Sequence, residues 1–456
     1  MLFNSHLFLL VFLPLAVAFY RLIPNRDAFR VWYLVAVSLV FYGYWDVSFV
    51  PLLVVSVLGN WGLSKLYQVN GRRLVPAIGI ALNLGSLAYF KYAAFLVANL
   101  NLAFHTSFAV DKVLLPLGIS FFTFHNIMYL ADLYRGKAPI YRLRDYALYI
   151  VFFPQIVAGP LVRHWELIPQ IPRDPWGKDT AERIGRGLTL LIIGLVKKVL
   201  IADALAPVVN ATFAAVAQHY VPGLGDAWAA VLGFTFQIYF DFSGYSDMAI
   251  GIAFIFGFTL PFNFNAPYRA ESLRDFWRRW HMTLSRMLRD YLYIPFGGNR
   301  HGLPRQVLAL LGTMLLGGLW HGASWTFVIW GGLHGMGLAA GVLWRRALPP
   351  MPTVLSAPLT FAFVVFAWVF FRSADLGQAA TMLSAMAGAG GIHGTRHLVS
   401  ILLAALIAFL GPTSQDVALQ RLKPARWSAA AAALVLCLIL LKLGDDTNYE
   451  FVYFQF

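Results

Sequence analysis

Long apolar runs separated by short basic clusters dominate this chain. The runs fall at 2–20, 30–44, 48–64, 75–96, 113–132, 146–159, 185–205, 226–260, 306–319, 324–343, 355–371, 397–411 and 427–443. A helix of about 20 apolar residues crosses a bilayer, so the pattern predicts about 11–12 transmembrane helices. Lys and Arg collect on the cytoplasmic side of such helices. The clusters Arg21/Arg26/Arg30, Lys65/Arg72/Arg73, Arg135/Lys137/Arg142/Arg144, Arg163–Arg186, Arg269–Arg305, Arg345/Arg346 and Arg421/Lys423/Arg426 therefore predict both termini outside. That topology requires 146–159, which contains Pro154 and ends in Gly159-Pro160, to enter and leave on one side as a re-entrant or buried piece. The run Leu7–Tyr20 is followed, not preceded, by a basic residue, Arg21. This is the reverse of a secretory signal and predicts an uncleaved first span.

Composition removes the soluble alternative. Of 456 residues, 59% are hydrophobic and 12% are charged, against about 25% charged in soluble domains. The excess of 35 Lys and Arg over 21 Asp and Glu fits cytoplasmic loops facing anionic lipid, not a nucleic-acid partner. Cys437 is the only cysteine, which excludes an intrachain disulfide and a cysteine metal cluster. The sequence has no internal repeat, and this weakens an inverted-repeat transporter.

Three segments break the apolar rule. In 226–260, Asp241, Ser243, Tyr245, Ser246 and Asp247 stand in the middle of a run nearly two spans long. Carboxylates at that depth face a cavity or a partner. The plainer alternative is a polar break between two helices. The loop 269–305 carries eight arginines against Glu271, Asp275 and Asp290. Within it Phe276, Trp280, Leu284, Met287 and Leu288 share one helical face, the pattern of a helix lying at the membrane interface. Taken by itself, the segment is best explained by lipid-headgroup binding. The sharper alternative is a cytoplasmic mouth admitting a polyanion, because guanidinium forks suit phosphates. In 315–335, His321 is flanked by Gly317-Gly318 and Gly322, and His334 follows in the next apolar run. A neutral imidazole can take and give a proton near pH 7. The histidine spacing fits no recognised metal pair.

These residues, read as FDFSGYSDMAIG (240–251), FWRRWHMTLSRMLRDYLYIPFGGNR (276–300) and GGLWHGASWTFVIWGGLHG (317–335), resemble the membrane-bound O-acyltransferase (MBOAT) family. The resemblance is to its bacterial branch, typified by the alginate O-acetyltransferase membrane subunit. It continues in MLFNSHLFLLVFLPL, FYGYWD (41–46), LLPLGISFFTF (114–124), FPQIVAGPLVR (153–163) and VYFQF (452–456). It implies an all-α bowl of tilted transmembrane helices, with re-entrant and interfacial helices, around a central tunnel. The family's signature histidine falls on His321, and a second family histidine falls on His281. The motif after the key histidine reads Gly322-Ala323-Ser324-Trp325, where relatives vary.

The expected whole is a single integral-membrane acyltransferase domain, 1–456, with its catalytic core at 226–343. His321 is the expected general base, and His281 an oxyanion stabiliser or donor-orienting group. Arg278, Arg279, Arg286 and Arg289 are the expected contacts of the donor, acetyl-CoA. Asp241, Asp247, Trp320 and His334 are the expected supporting residues. No tightly bound cofactor or metal is expected. The acceptor is expected outside the membrane: an alginate-like polysaccharide, or a periplasmic SGNH-type acetyltransferase that receives the acetyl group. Peptidoglycan, cellulose, teichoic acid or lipid acceptors stay open, as does a polymer or lipid transporter without chemistry.

Overall fold

The computed structural model describes residues 1–24, 27–109, 114–394, 398–422, 425–443 and 451–452. Arg26, Lys423 and residues 453–456 of the closing motif lie outside them. Every regular element among the described residues is helical. Among the described residues five helices are long and apolar enough to cross a membrane: Val47–Asn70, Leu74–Phe104, Gly302–His321, Trp325–Ala347 and Thr353–Arg372. Leu398–Leu410 and Ser414–Arg421, bent by 61° at their break, make a sixth if counted together. The apolar runs do not map one to one onto such helices. The first two form the shorter helices Leu7–Leu22 and Ala28–Gly43. Leu58, Leu82, Leu402, Leu406 and Leu438 are all exposed, a surface that lipid accepts and water does not. The chain is a multi-pass membrane protein.

Its contacts divide it into two compact units. The first comprises Met1–Ile193, Tyr245–Pro261 and Leu422–Leu443. At its core Phe41 packs against Phe3 and Phe153, with ring centroids 5.5 and 5.3 Å apart. The segment 146–162 is buried along its whole length. Helix Leu143–Val151 stops at Phe152, and a single turn, Phe153–Ile156, follows with Pro154 near its start. The sequence expected a re-entrant or buried piece here, and the piece is buried. Irregular backbone inside a membrane protein needs local partners. Ser38 Oγ accepts from the Phe153 N–H at 3.0 Å, and Gln155 Nε2 donates to the Tyr149 carbonyl at 2.6 Å. Gly118 lets the neighbouring chain come close: its φ is +69°, and a Cβ there would sit 2.5 Å from the Ile156 carbonyl oxygen.

The second unit comprises Gly194–Gly244, Phe262–Arg421 and Gly444–Phe456. It corrects two expectations. First, the region of Asp241 contains no polar break. Leu224–Ile255 is one helix of 32 residues, about 48 Å at about 1.5 Å per residue. Residues to Gly244 belong to this unit and the remainder to the first. A break is unnecessary because Asp241 has a cation across from it. Lys198 Nζ lies 2.7 Å from Asp241 Oδ1 and 2.9 Å from Asp203 Oδ1. Asp241 Oδ2 also accepts the Val452 N–H at 2.7 Å, which ties the chain's last described residues to this helix.

Second, 269–305 is not one helix on the interface. It holds the short helices Leu273–Arg279 and Met282–Leu288, separated by Trp280 and by His281, whose φ is +42°. Phe276, Trp280, Leu284, Met287 and Leu288 are each no more than 5% exposed. The shared apolar face exists, and protein covers it instead of lipid. Helices Gly302–His321 and Trp325–Ala347 follow as a hairpin. Glycine sets how closely its arms approach: a Cβ on Gly318 would run into the Phe327 carbonyl, and one on Gly331 into that of Met314.

Candidate active site

The hairpin turn presents His321 at the end of its first helix. Gly322, extended at φ −165°, stops that helix, and Ser324 Oγ accepts the Thr326 N–H to start the next. His321 is 4% exposed. Three aromatic rings surround it: Trp320 at 4.8 Å, Trp330 at 5.0 Å and Phe371 at 5.2 Å between centroids. Phe371 comes from helix Thr353–Arg372, which no sequence motif singled out. A Cβ on Gly322 would strike the ring of Phe327, itself 5.0 Å from Phe371.

The two tryptophans link His321 to the other two candidate histidines. Trp320 lies 6.0 Å from His281, and Trp330 lies 4.9 Å from His334. The structure therefore brings His281, Trp320, His321 and His334 together around one aromatic cluster, extended by Trp277, Trp280 and Trp368.

Hydrogen bonds assign two of the imidazoles. Asn263 Oδ1 lies 3.0 Å from His281 Nδ1, and the same oxygen accepts from the Thr283 N–H at 3.2 Å and from Thr283 Oγ1 at 2.9 Å. An oxygen that already accepts from a backbone N–H must accept from the imidazole too, so His281 carries its proton on Nδ1. Its Nε2 then bears the lone pair. Burial pushes the His281 imidazole down to about 3, so it is neutral near pH 7. His334 is the opposite tautomer. Trp277 Nε1 donates to its Nδ1 at 3.3 Å, which leaves the proton on Nε2. Among the described residues, His334 Nε2, Trp330 Nε1 and Trp368 Nε1 are buried without a hydrogen-bond partner. Sequence reasoning missed Asn263. Its only signal was an amide in the run PFNFNAP between an apolar helix and the arginine segment.

The remaining candidates scatter. Among the described residues Asp241 is engaged with Lys198 and Val452, not with an imidazole or an arginine. Asp247 is buried at 6% exposure in the part of the long helix assigned to the first unit. The arginines separate as well. Arg279 Nε binds Asp275 at 2.9 Å and Arg289 Nε binds Asp290 at 2.7 Å, so local carboxylates partly neutralise both. Arg286 is half-buried. Arg278 is exposed, and it and Arg274, one turn earlier, act electrostatically on Arg345 at the far end of the hairpin. The cationic surface of this segment thus includes Arg274 and Arg345. Among the described residues no three His, Cys, Asp or Glu side chains come together that could hold a metal ion.

Comparison with known proteins agrees with this architecture. The model of the membrane-bound O-acyltransferase family matches residues 75–375, which include all three histidines. A peptidoglycan O-acetyltransferase of Helicobacter pylori is 40% identical over 86% of this chain and 81% of its own length. A probable alginate O-acetylase of Pseudomonas putida is 39% identical over 100% of both chains. Another, of Azotobacter vinelandii, is 43% identical over 85% of this chain and 78% of its own. An apolar helical body, a buried histidine at a glycine-rich turn and these matches have one common reading: the chain belongs to the membrane-bound O-acyltransferase family and is an O-acyltransferase of the membrane.

Proposed function

We propose that this protein takes an acetyl group from cytoplasmic acetyl-CoA and carries it through the inner membrane to an extracytoplasmic hydroxyl, with His321 as general base. The placement of His321 at a helix end, buried among Trp320, Trp330 and Phe371, is the observation that carries the proposal. The acceptor O–H gives its proton to the imidazole while its oxygen attacks the thioester carbonyl. The tetrahedral intermediate collapses, the C–S bond breaks, and the imidazolium returns the proton to the leaving thiolate. The products are an ester and free CoA. A positioned base typically contributes about 10²–10⁴-fold to such a step. The aromatic rings favour the transient imidazolium by cation–π attraction.

His281 had two expected roles, and its tautomer supports one of them. With the proton on Nδ1 and committed to Asn263, Nε2 accepts hydrogen bonds. That suits orienting a donor amide or thiol better than stabilising an oxyanion. Arg278 with Arg274 and Arg345 supplies an exposed positive surface for the donor phosphates. Arg279, Arg286 and Arg289 assist less, because two of them already hold carboxylates. The 226–343 core and the single-domain reading belong to the same proposal.

The acceptor is a polysaccharide hydroxyl, reached directly or through a periplasmic SGNH-type transferase. The names of the relatives support this class, since peptidoglycan and alginate both offer sugar hydroxyls. The test is His321→Ala in cells. The variant should accumulate in the membrane at the normal level while extracytoplasmic O-acetylation disappears. Normal acetylation in that strain overturns the assignment. Purified protein should hydrolyse or transfer from acetyl-CoA only with His321 present.

A further inference from the structure

One slot in the first unit differs from the rest of the apolar surface. Its volume is about 910 Å³, at the upper end of the roughly 300–1,000 Å³ typical of ligand sites. Its long walls are the helices Leu7–Leu22 and Thr180–Leu195, with Leu436 and Leu440 of the helix Arg426–Lys442 along the side. Lining positions run from Leu9 to Arg21 on the first wall and from Thr180 to Ile192 on the second. At about 1.5 Å per residue each wall is about 18 Å long.

The two ends differ chemically. Leu9, Leu10, Leu191 and Ile192 line the apolar end. At the other end stand Arg21, Trp176, Lys178 and Thr180. Arg21 is held there by its guanidinium, which stacks 4.6 Å from the Trp176 ring centroid. Among the described residues the lining contains these two cations and no carboxylate. Of the acids on the 174–182 stretch, Asp174 pairs with Arg30 at 3.7 Å, Glu182 pairs with Arg186, and Asp179 is exposed outside the lining. The helix that begins at Thr180 adds its positive N-terminal end to the mouth.

An apolar shaft of about 18 Å matches one leaflet of a hydrocarbon core about 30 Å thick. The shaft ends in two cations, the arrangement that an anionic headgroup at the end of an acyl chain requires. We infer that the slot is a binding site for an anionic phospholipid, its acyl chain between the two helices and its phosphate at Arg21 and Lys178. A zwitterionic lipid would set its ammonium group against both cations and bind less well. Nothing in this inference depends on the acyl-transfer chemistry, which is placed in the other unit.

The full chain, purified in detergent, is titrated with phosphatidylglycerol and with phosphatidylcholine of the same acyl composition, and bound lipid is counted by native mass spectrometry. The expected result is one phosphatidylglycerol per chain, bound at least tenfold more tightly than phosphatidylcholine. The double substitution Arg21→Ala/Lys178→Ala should abolish that preference. Ala18→Trp, which fills the shaft and keeps both cations, should lose the lipid altogether. Equal binding of the two lipids by the unaltered protein overturns the proposal without any variant. So does displacement of phosphatidylglycerol by millimolar inorganic phosphate, which would make the mouth a simple anion site.

Discussion

The imidazole of His321 meets the indole of Trp330 at 85°, with 5.0 Å between ring centroids. The two residues lie on opposite arms of one helical hairpin, so its packing fixes the angle at which the imidazole is presented. Trp330→Leu removes that support and leaves His321 in place. The substitution should lower kcat for acetyl transfer by about 10²-fold, the scale of a misplaced catalytic group, and leave KM for the donor within a few-fold. Trp330→Phe keeps a ring and should recover most of the rate. Equal rates for the two variants would show that the ring does not position His321.

Gly318 is where the same hairpin closes, because a Cβ there would meet the Phe327 carbonyl. Gly318→Ala should therefore push the arms apart. Overpacking of this kind costs about 1–3 kcal/mol, and the thermal midpoint in detergent should fall together with activity. Gly332→Ala is the control: its new methyl would lie 3.6 Å from Leu315, an ordinary contact. It should be neutral or slightly stabilising, since alanine is a better helix former than glycine by about 1 kcal/mol. If both variants behave alike, close approach at Gly318 does not matter.

Acid should destabilise the protein through His281. In the folded chain burial pushes this imidazole down to about 3, whereas an unfolded histidine titrates near ~6.5. Above pH 6.5 neither state is protonated and His281 contributes nothing to the pH dependence. Below it the unfolded state takes a proton that the folded state refuses, so stability falls as pH drops from about 6.5 toward 3. Thermal midpoints at pH 7.5 and 4.5 measure this loss. His281→Gln, which can still donate to Asn263, should show a smaller drop between the two pH values. An equal drop in both proteins would mean that His281 is not held neutral.

Much of this protein was legible in its sequence, and what was legible is local. Hydrophobic runs and basic clusters specify a multi-pass helical membrane protein, because each residue's preference for lipid or water depends on its own side chain. Pro154 and Gly159 in 146–159 announced a re-entrant or buried piece for the same reason. The motif around His321 marked the candidate site, since a glycine-flanked histidine in an apolar run is unusual whatever surrounds it.

Partnership was not legible, because it depends on residues far apart in the chain. Asp241 and Lys198 are 43 positions apart, and only their pairing explains how a carboxylate sits in an unbroken 32-residue helix. Asn263 acquires its role from the three hydrogen-bond donors that converge on its amide oxygen. Arginines that a loop sequence groups together separate once Asp275 and Asp290 engage two of them, while Arg345 arrives from the far end of a transmembrane helix. Sequence alone thus determined the class of molecule and the histidines worth testing. Tertiary structure decided the tautomers of His281 and His334, the aromatic neighbours of all three histidines and which charges remain exposed, since each of these depends on distances between groups that the chain keeps apart.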